Sequence, residues 1–551
     1  MFVSNRFQLL YNRRERRATG PGGGGPGNHH QRQHRRRRSK LWITMFLVSI
    51  LLSTFGLLVI TFINNSNILE DIIISSSSAV LPTTEIITED LSSSSSSSSS
   101  QLKDVAKVGE DTTRSNPSSS VKASTTTTKS TETPTITIAY AISLIKCGDN
   151  KVSNSNSMID SATVLRHSIH QTSIRNPTSN SKYDYKMYAI IHKQAVSCSQ
   201  QLATVGFELL IVDPPILQQD IQGEYLKSHI HREVCCGSDE FVKLYAYNPQ
   251  IFPPHVHPLV VHLDLDFIVT KPMDDLFDVM LHPVDSIQYQ QAKSKIYIEK
   301  RPTKSDDVLW PNHQVDALFT RDWPQVLPGR KSMYQAGFQI VRPNQTVFDK
   351  MIHVIKVGHY VEGFGRDNGW GGLGYGGNIG SMAMQGLLAY VYDEIYPNTY
   401  MELNQCKYNH MGMDVKKRGK CRNNLPTCED CMETPLEEIY SIHYTACRKP
   451  WLCPSVGDKE DKNNRGKTIP EDVVHVSHCL KLQSVWHTFR SDLEDKLFNL
   501  TNDNTIREQG QSGTHMKEYF QGHCKGHGYM NYLGISGKPE TLQRIPELYN
   551  S

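Results

Sequence analysis

No cysteine occurs in the first 146 residues of this 551-residue chain; all twelve lie between Cys147 and Cys524. Charge is missing from residues 41–63, and no comparable second apolar run follows. Apolar side chains are scarce from 64 to 134, where Ser92 to Ser100 form an unbroken serine run and Thr125 to Thr128 a threonine run. Each absence excludes something. The uncharged stretch is long enough to cross a bilayer once as a tilted helix, and without a second one a multi-span protein is excluded. It runs into Asn64-Asn65-Ser66 with no small-residue cleavage site, which reads as an uncleaved signal anchor. The Ser/Thr-rich stretch buries too little apolar surface to offset its ordering entropy, so 64–134 is expected to be a disordered, O-glycosylated stem.

Before the apolar run, residues 1–40 carry Arg13-Arg14, Arg16-Arg17 and Arg35 to Arg38. A nucleic-acid patch is one explanation of such a cluster, but basic charge against a membrane span is a topology signal that places the tail in the cytosol and the rest outside it or in a lumen. The formal net charge of +3 is therefore a local property of the tail, and the remainder is near neutral. With this topology every cysteine sits in an oxidising compartment, where disulfides are the default. Cys428-x2-Cys431 beside Cys421, with Cys406, Cys447 and Cys453 around them, also has the spacing of a zinc cluster, and pairing cannot be deduced from sequence. Asn344 and Asn499 are N-glycosylation sequons that fit the same topology.

The folded region starts near Thr135. Strand patterns at 135–142, 186–191 and 207–212 alternate with helical spacing at 158–170 and 194–205, an order that predicts a mainly parallel sheet with helices on both faces. Ligands of such sheets bind at the carboxyl ends of strands, near a switch in strand order. The run from Val260 to Val269 reads as an apolar, buried strand with two carboxylates, Asp264 and Asp266, at its end where it meets its loop. Alternate residues of a strand share a face, so the two acids are expected to project together, where their repulsion calls for a cation. Oxygen ligands suit Mg²⁺ or Mn²⁺, ions that complete their shells with substrate phosphates. Taken alone, the tripeptide is also a common surface pattern.

Five segments in order resemble the retaining glycosyltransferases of family 8, over residues 135–455. They are Phe241 to Tyr247, Val261 to Asp266 with Lys271-Pro272-Met273-Asp274-Asp275-Leu276-Phe277, Tyr334 to Ile340, Gln385-Gly386-Leu387-Leu388, and His443-Tyr444-Thr445-Ala446-Cys447-Arg448-Lys449-Pro450-Trp451. The resemblance implies a GT-A-type, Rossmann-like nucleotide-diphospho-sugar transferase domain. It assigns Mn²⁺ (or Mg²⁺) to Asp264, Asp266 and His443, the donor's diphosphate to Lys449, and further donor contacts to Lys243 and Gly337. Gln385 falls near the anomeric carbon. An amide is a poor nucleophile, so a front-face route, in which the departing phosphate takes the acceptor's proton, is expected for retention.

Three positions depart from the family. Met384 stands where relatives carry an acid before the glutamine, with Asn378 and Asp367 as nearby substitutes in sequence; Ala446 replaces a glycine; Gln335 replaces an asparagine. The expectation is a Golgi or other secretory-pathway enzyme, single-pass type II, moving a hexose from a UDP-sugar to a glycan or protein acceptor, with no nucleic-acid partner. An inactive UDP-sugar-binding relative and a retaining glycoside hydrolase, which also uses paired carboxylates, are the alternatives. Residues 456–551 form a C-terminal extension with helical spacing at 485–497. Its His475, His478, Cys479, His523, Cys524 and His527 are a metal-ligand set only in composition, and scattered histidines there read as structural or solvated.

Overall fold

The structure is a computed structural model that describes residues 135–147, 156–233, 237–299, 314–323, 331–452, 474–504 and short stretches between 534 and 549, apart from 364, 414–415, 418, 424 and 448. The basic tail, the apolar segment 41–63 and the Ser/Thr-rich stem lie outside the described residues. Among the described residues no helix is long and apolar enough to cross a membrane.

The chain begins with β1 (Thr137–Leu144), α1 (Asn156–Gln171), β2 (Asp184–His192), α2 (Val196–Thr204) and β3 (Glu208–Val212), the strand–helix alternation expected from its pattern. An 11-residue 3-10 helix, Gly237–Tyr247, leads to β4 (Val260–Leu263), β5 (Phe267–Val269), α3 (Asp274–Leu281), β6 (Ala317–Arg321) and β7 (Tyr334–Val341). Then come α4 (Gln345–Val357), α5 (Met384–Tyr390), β8 (Tyr400–Glu402), β9 (Ser441–His443) and the 28-residue α6 (Val474–Thr501). Seven strands form one sheet in the order β8-β6-β7-β4-β1-β2-β3, all parallel except β7. Strands β2 and β3 extend to one side of β1 and β4 lies on the other, so the order switches between β1 and β4.

Both faces of the sheet are buried, as a mostly parallel sheet requires. Ile138, Tyr140 and Ile142 of β1 enter one core with α1 and α3, while Ala139 and Ala141 point into the other with α4, α5 and the 3-10 helix. Helix α4 shows how local chemistry sets its ends. Asn344 accepts from the Thr346 and Val347 N–H groups at its start, and Gly358 takes a left-handed φ of 63° at its end.

Two expectations change. The run 260–269 is not one strand: β4 stops at Leu263, and β5 leaves the main sheet to pair antiparallel with β9. Asp264 and Asp266 lie, as expected, where a strand meets its loop, but that loop is a tight turn into a second strand. The C-terminal helix is also longer than its 485–497 periodicity. Its Leu482, Trp486, Leu493 and Leu497 join the core that holds α1, and its buried Arg490 pairs with Glu494 at 2.8 Å.

Candidate functional site

The turn after β4 is tied down by its backbone, with the Asp264 N–H donating to the Gly337 carbonyl at 3.0 Å on neighbouring β7. Strand β9 brings His443 opposite Phe267 in antiparallel register, and the next residue, Tyr444, donates its N–H to the Asp266 carbonyl at 2.8 Å. The imidazole Nε2 then lies 3.8 Å from Asp264 Oδ2 and 3.5 Å from Asp266 Oδ1. One donor atom from each of the three residues falls within 4.8 Å of the others, with Asp264 the most open of them.

Two lysines face the carboxylates. Lys243, on the 3-10 helix, places Nζ 2.9 Å from Asp264 Oδ1 and 3.3 Å from Glu240, and Lys449 contacts Asp266 Oδ2. Burial works against the charge on Lys243, but Asp264 and Glu240 outweigh it and raise its pKa. Burial likewise opposes ionisation of Asp264, and Lys243 with His443 overcomes it to hold the carboxyl below its usual range. His443 is held neutral by burial, its pKa falling to about 4.

The tautomer of His443 follows from its neighbour. Asn409 donates Nδ2 to Thr320 Oγ1 at 2.6 Å and presents Oδ1 to His443 Nδ1 at 3.0 Å, so Nδ1 carries the proton and the Nε2 lone pair faces the two aspartates. Asn409 is fully buried with φ 54°, a left-handed conformation that asparagine tolerates better than other side chains. A lone pair and two carboxylates converging on one point is a donor set that fits a divalent cation. Gly337 keeps the floor open, since a Cβ there would come within 2.5 Å of His443 Cε1 and 2.7 Å of Asp264 Oδ2.

Gln385 joins this cluster through Gln335. The Gln335 Oε1 accepts from the Gly337 N–H at 3.1 Å and from Gln385 Nε2 at 3.2 Å, so Gln335 bridges Gln385 to the floor of the Asp-Asp-His cluster. Gln385 Nε2 also donates to Asp322 Oδ2 at 3.3 Å. Asp322 is thus a carboxyl that meets Gln385, whose own neighbour Met384 is apolar. It follows β6 and is buried, and burial lifts its pKa to about 7 against the pull of His443, Arg422 and the Gln385 hydrogen bond.

Among the described residues neither residue near in sequence hydrogen-bonds to the Gln385 side chain: Asp367 is exposed, and the Asn378 carbonyl accepts from the Ser381 N–H. Asp322 was legible in principle, because like Asp264 it ends an apolar strand. Asn409 sits in a loop with no such signal.

The zinc reading of the cysteines gives way to disulfides, Cys421–Cys428 and Cys406–Cys431, with Cys147–Cys198 and Cys447–Cys479 elsewhere. His478 packs on His410, and the side chains of His475, His523, Cys524 and His527 lie outside the described residues.

No family model and no curated protein matches the sequence. Among solved structures the chain is similar to the bifunctional glycosyltransferase WbbM, at 12% identity and a TM-score of 0.28 over 58% of this chain and 47% of that one. Mouse xyloside xylosyltransferase 1 matches at 9% identity and 0.33, over 57% of this chain and 99% of its own. The glycosyltransferase GlyE of Streptococcus pneumoniae TIGR4 matches at 15% identity and 0.29, over 64% and 60%. The chain thus spans about half of WbbM, and similarities of this size do not place it in a family.

Proposed function

We propose that this chain is a metal-dependent retaining glycosyltransferase that moves a hexose from a UDP-sugar to a glycan or protein acceptor in the secretory pathway, anchored by residues 41–63 with its catalytic domain luminal. One observation carries the reading: Asp264, Asp266 and His443 converge at the carboxyl end of β4, beside the switch in strand order, with Lys243 and Lys449 on their flanks. Two carboxylates and a neutral imidazole suit Mn²⁺ or Mg²⁺, and two lysines beside them suit the diphosphate that such an ion accompanies. A bound ion would supply Lewis-acid charge to the leaving diphosphate.

In this reading Asp264, Asp266 and His443 would hold the cation, Lys449 beside Asp266 would face the donor's diphosphate, and Lys243 keeps Asp264 ionised for its ligand role. Gln385, held by Asp322 and Gln335, presents its amide to the anomeric carbon and stabilises positive charge there, consistent with a front-face route. A retaining glycoside hydrolase would leave both lysines and the imidazole without a purpose. An inactive relative accounts less well for Asp322, which restores a carboxyl beside Gln385.

The test is UDP release by the chain from about residue 130, across a panel of UDP-sugars, with Mn²⁺ and with chelator, beside Asp266→Asn. Donor-selective release that needs both the metal and Asp266 is expected and would name the sugar. Metal-dependent UDP binding without release would leave the inactive relative, and absence of both overturns the reading.

A further inference from the structure

The C-terminal helix α6 lies outside the region of family resemblance, yet it meets the segment that carries His443 and Lys449 at three points and the loop holding His410 at a fourth. Cys479 in its second turn is disulfide-bonded to Cys447, two residues before Lys449. His478 Nε2 lies 2.7 Å from His410 Nε2. The Leu482 carbonyl accepts from the Tyr444 hydroxyl at 2.7 Å, and the Trp486 ring lies 6.0 Å from that of Trp451.

The histidine pair has a defined sense. His410 Nδ1 faces the Cys406 carbonyl at 2.9 Å, which only accepts, so Nδ1 carries the proton and Nε2 offers a lone pair to the Nε2–H of His478. Both rings are buried. The His410 backbone in turn brackets β9, donating to the Ser441 carbonyl at 2.9 Å and accepting from the His443 N–H at 3.0 Å. Its predecessor Asn409 holds His443 Nδ1. A continuous path thus runs from His478 through His410 and Asn409 to the imidazole of the metal-ligand group. A second path runs from Cys479 through Cys447 to Lys449. Gly412 shows how closely these parts meet: a Cβ there would overlap the Cys447 sulfur and come within 3.0 Å of Leu482.

We infer that the first turns of α6 are part of the donor site, with His478 and the Cys447–Cys479 bridge as positioning groups that set His443 and Lys449 against Asp264 and Asp266. This rests on the proposed metal and donor role of those residues. The extension thereby acquires a role, because β9 is only three residues long and pairs with β5 alone in a two-stranded sheet, while α6 holds Tyr444 and Cys447 just after it and His410 beside it.

Calorimetry on the full chain, titrating Mn²⁺ alone and then UDP with Mn²⁺, tests the inference on three variants. His478→Ala should weaken Mn²⁺ binding about tenfold, the lower end of what outer-shell partners contribute. His478→Gln, whose amide N–H can still donate to His410, should recover to within about twofold, a rescue that a purely packing role would not produce. Cys447→Ser/Cys479→Ser keeps His478 and should weaken UDP more than Mn²⁺, because it releases Lys449 before His443. Unchanged Mn²⁺ affinity in His478→Ala, or equal loss in the Ala and Gln variants, overturns the His478 assignment. Should His478→Ala fail to fold, unchanged UDP affinity in the double variant overturns the inference by itself. Wild-type Mn²⁺ binding without UDP binding would count against the donor reading while the coupling to α6 stands on Mn²⁺ alone; a wild type that binds no Mn²⁺ overturns both.

Discussion

The inner and outer halves of the site are held by different means. On the inner side, Asp264 and Asp266 follow β4, whose four residues are all buried, and are tied by the backbone bond from Asp264 to Gly337, while Lys243 is set by the buried 3-10 helix just before that strand. On the outer side, His443 arrives about 180 residues later on a three-residue strand and Lys449 in the loop that follows it, fastened by a side-chain hydrogen bond to Asn409 and by a disulfide. The inner half draws on cooperative sheet packing, which no single side chain controls. The outer half depends on a few individual contacts, so single substitutions should act on it in a graded way.

The largest effect should come from the inner half's charges. Asp266→Asn removes a ligand oxygen's charge, and metal-dependent UDP release should fall by at least about a hundredfold, a loss typical of removing charge stabilisation at a reacting centre; retention of more than a tenth of the activity would separate the aspartates from the chemistry. Gly337→Ala comes next. Its methyl would press on both halves at once, on His443 Cε1 and Asp264 Oδ2, so Mn²⁺ affinity read by calorimetry should drop more than for a substitution confined to either half.

Asn409→Ala touches the outer half alone. It should cost about tenfold in Mn²⁺ affinity through loss of the fixed His443 tautomer, together with about 1–3 kcal/mol of stability from the hydrogen bonds left unmade at His443 and Thr320. Measuring metal affinity and thermal unfolding on the same sample separates the two losses.

The smallest effect concerns Asp322, at the junction of the halves, and it is read in pH. Burial lets the folded protein keep this proton up to about pH 7, whereas the unfolded chain releases it near 3.8. The folded state therefore binds more protons in that window, and stability falls as pH rises through it. Asp322→Asn should remove that slope, melting a few degrees higher than wild type at pH 8 and about equally at pH 4. A parallel pH profile for the two proteins would show that Asp322 is ionised in the fold.

The order of strands and helices up to β3 is legible in the sequence because buried strands and amphipathic helices write different periods into the chain. The run 260–269 reads as one strand because both of its halves are apolar, and only pairing with β9 shows that β5 belongs to another sheet. Proximity in sequence points to Asn378 and Asp367 as partners of Gln385, yet Asp322 lies 63 residues away.

What the sequence determined alone is what depends on local pattern: the alternating architecture and the carboxylates at a strand end, whereas the placing of a lysine and a histidine beside them was only implied by a resemblance. Tertiary structure decided the rest. Which acid meets Gln385, which amide sets the His443 tautomer and which cysteine holds the loop before Lys449 are contacts between segments tens of residues apart. Their partners are chosen by how the sheet and α6 bring the chain back on itself, a choice that no local period in the sequence encodes.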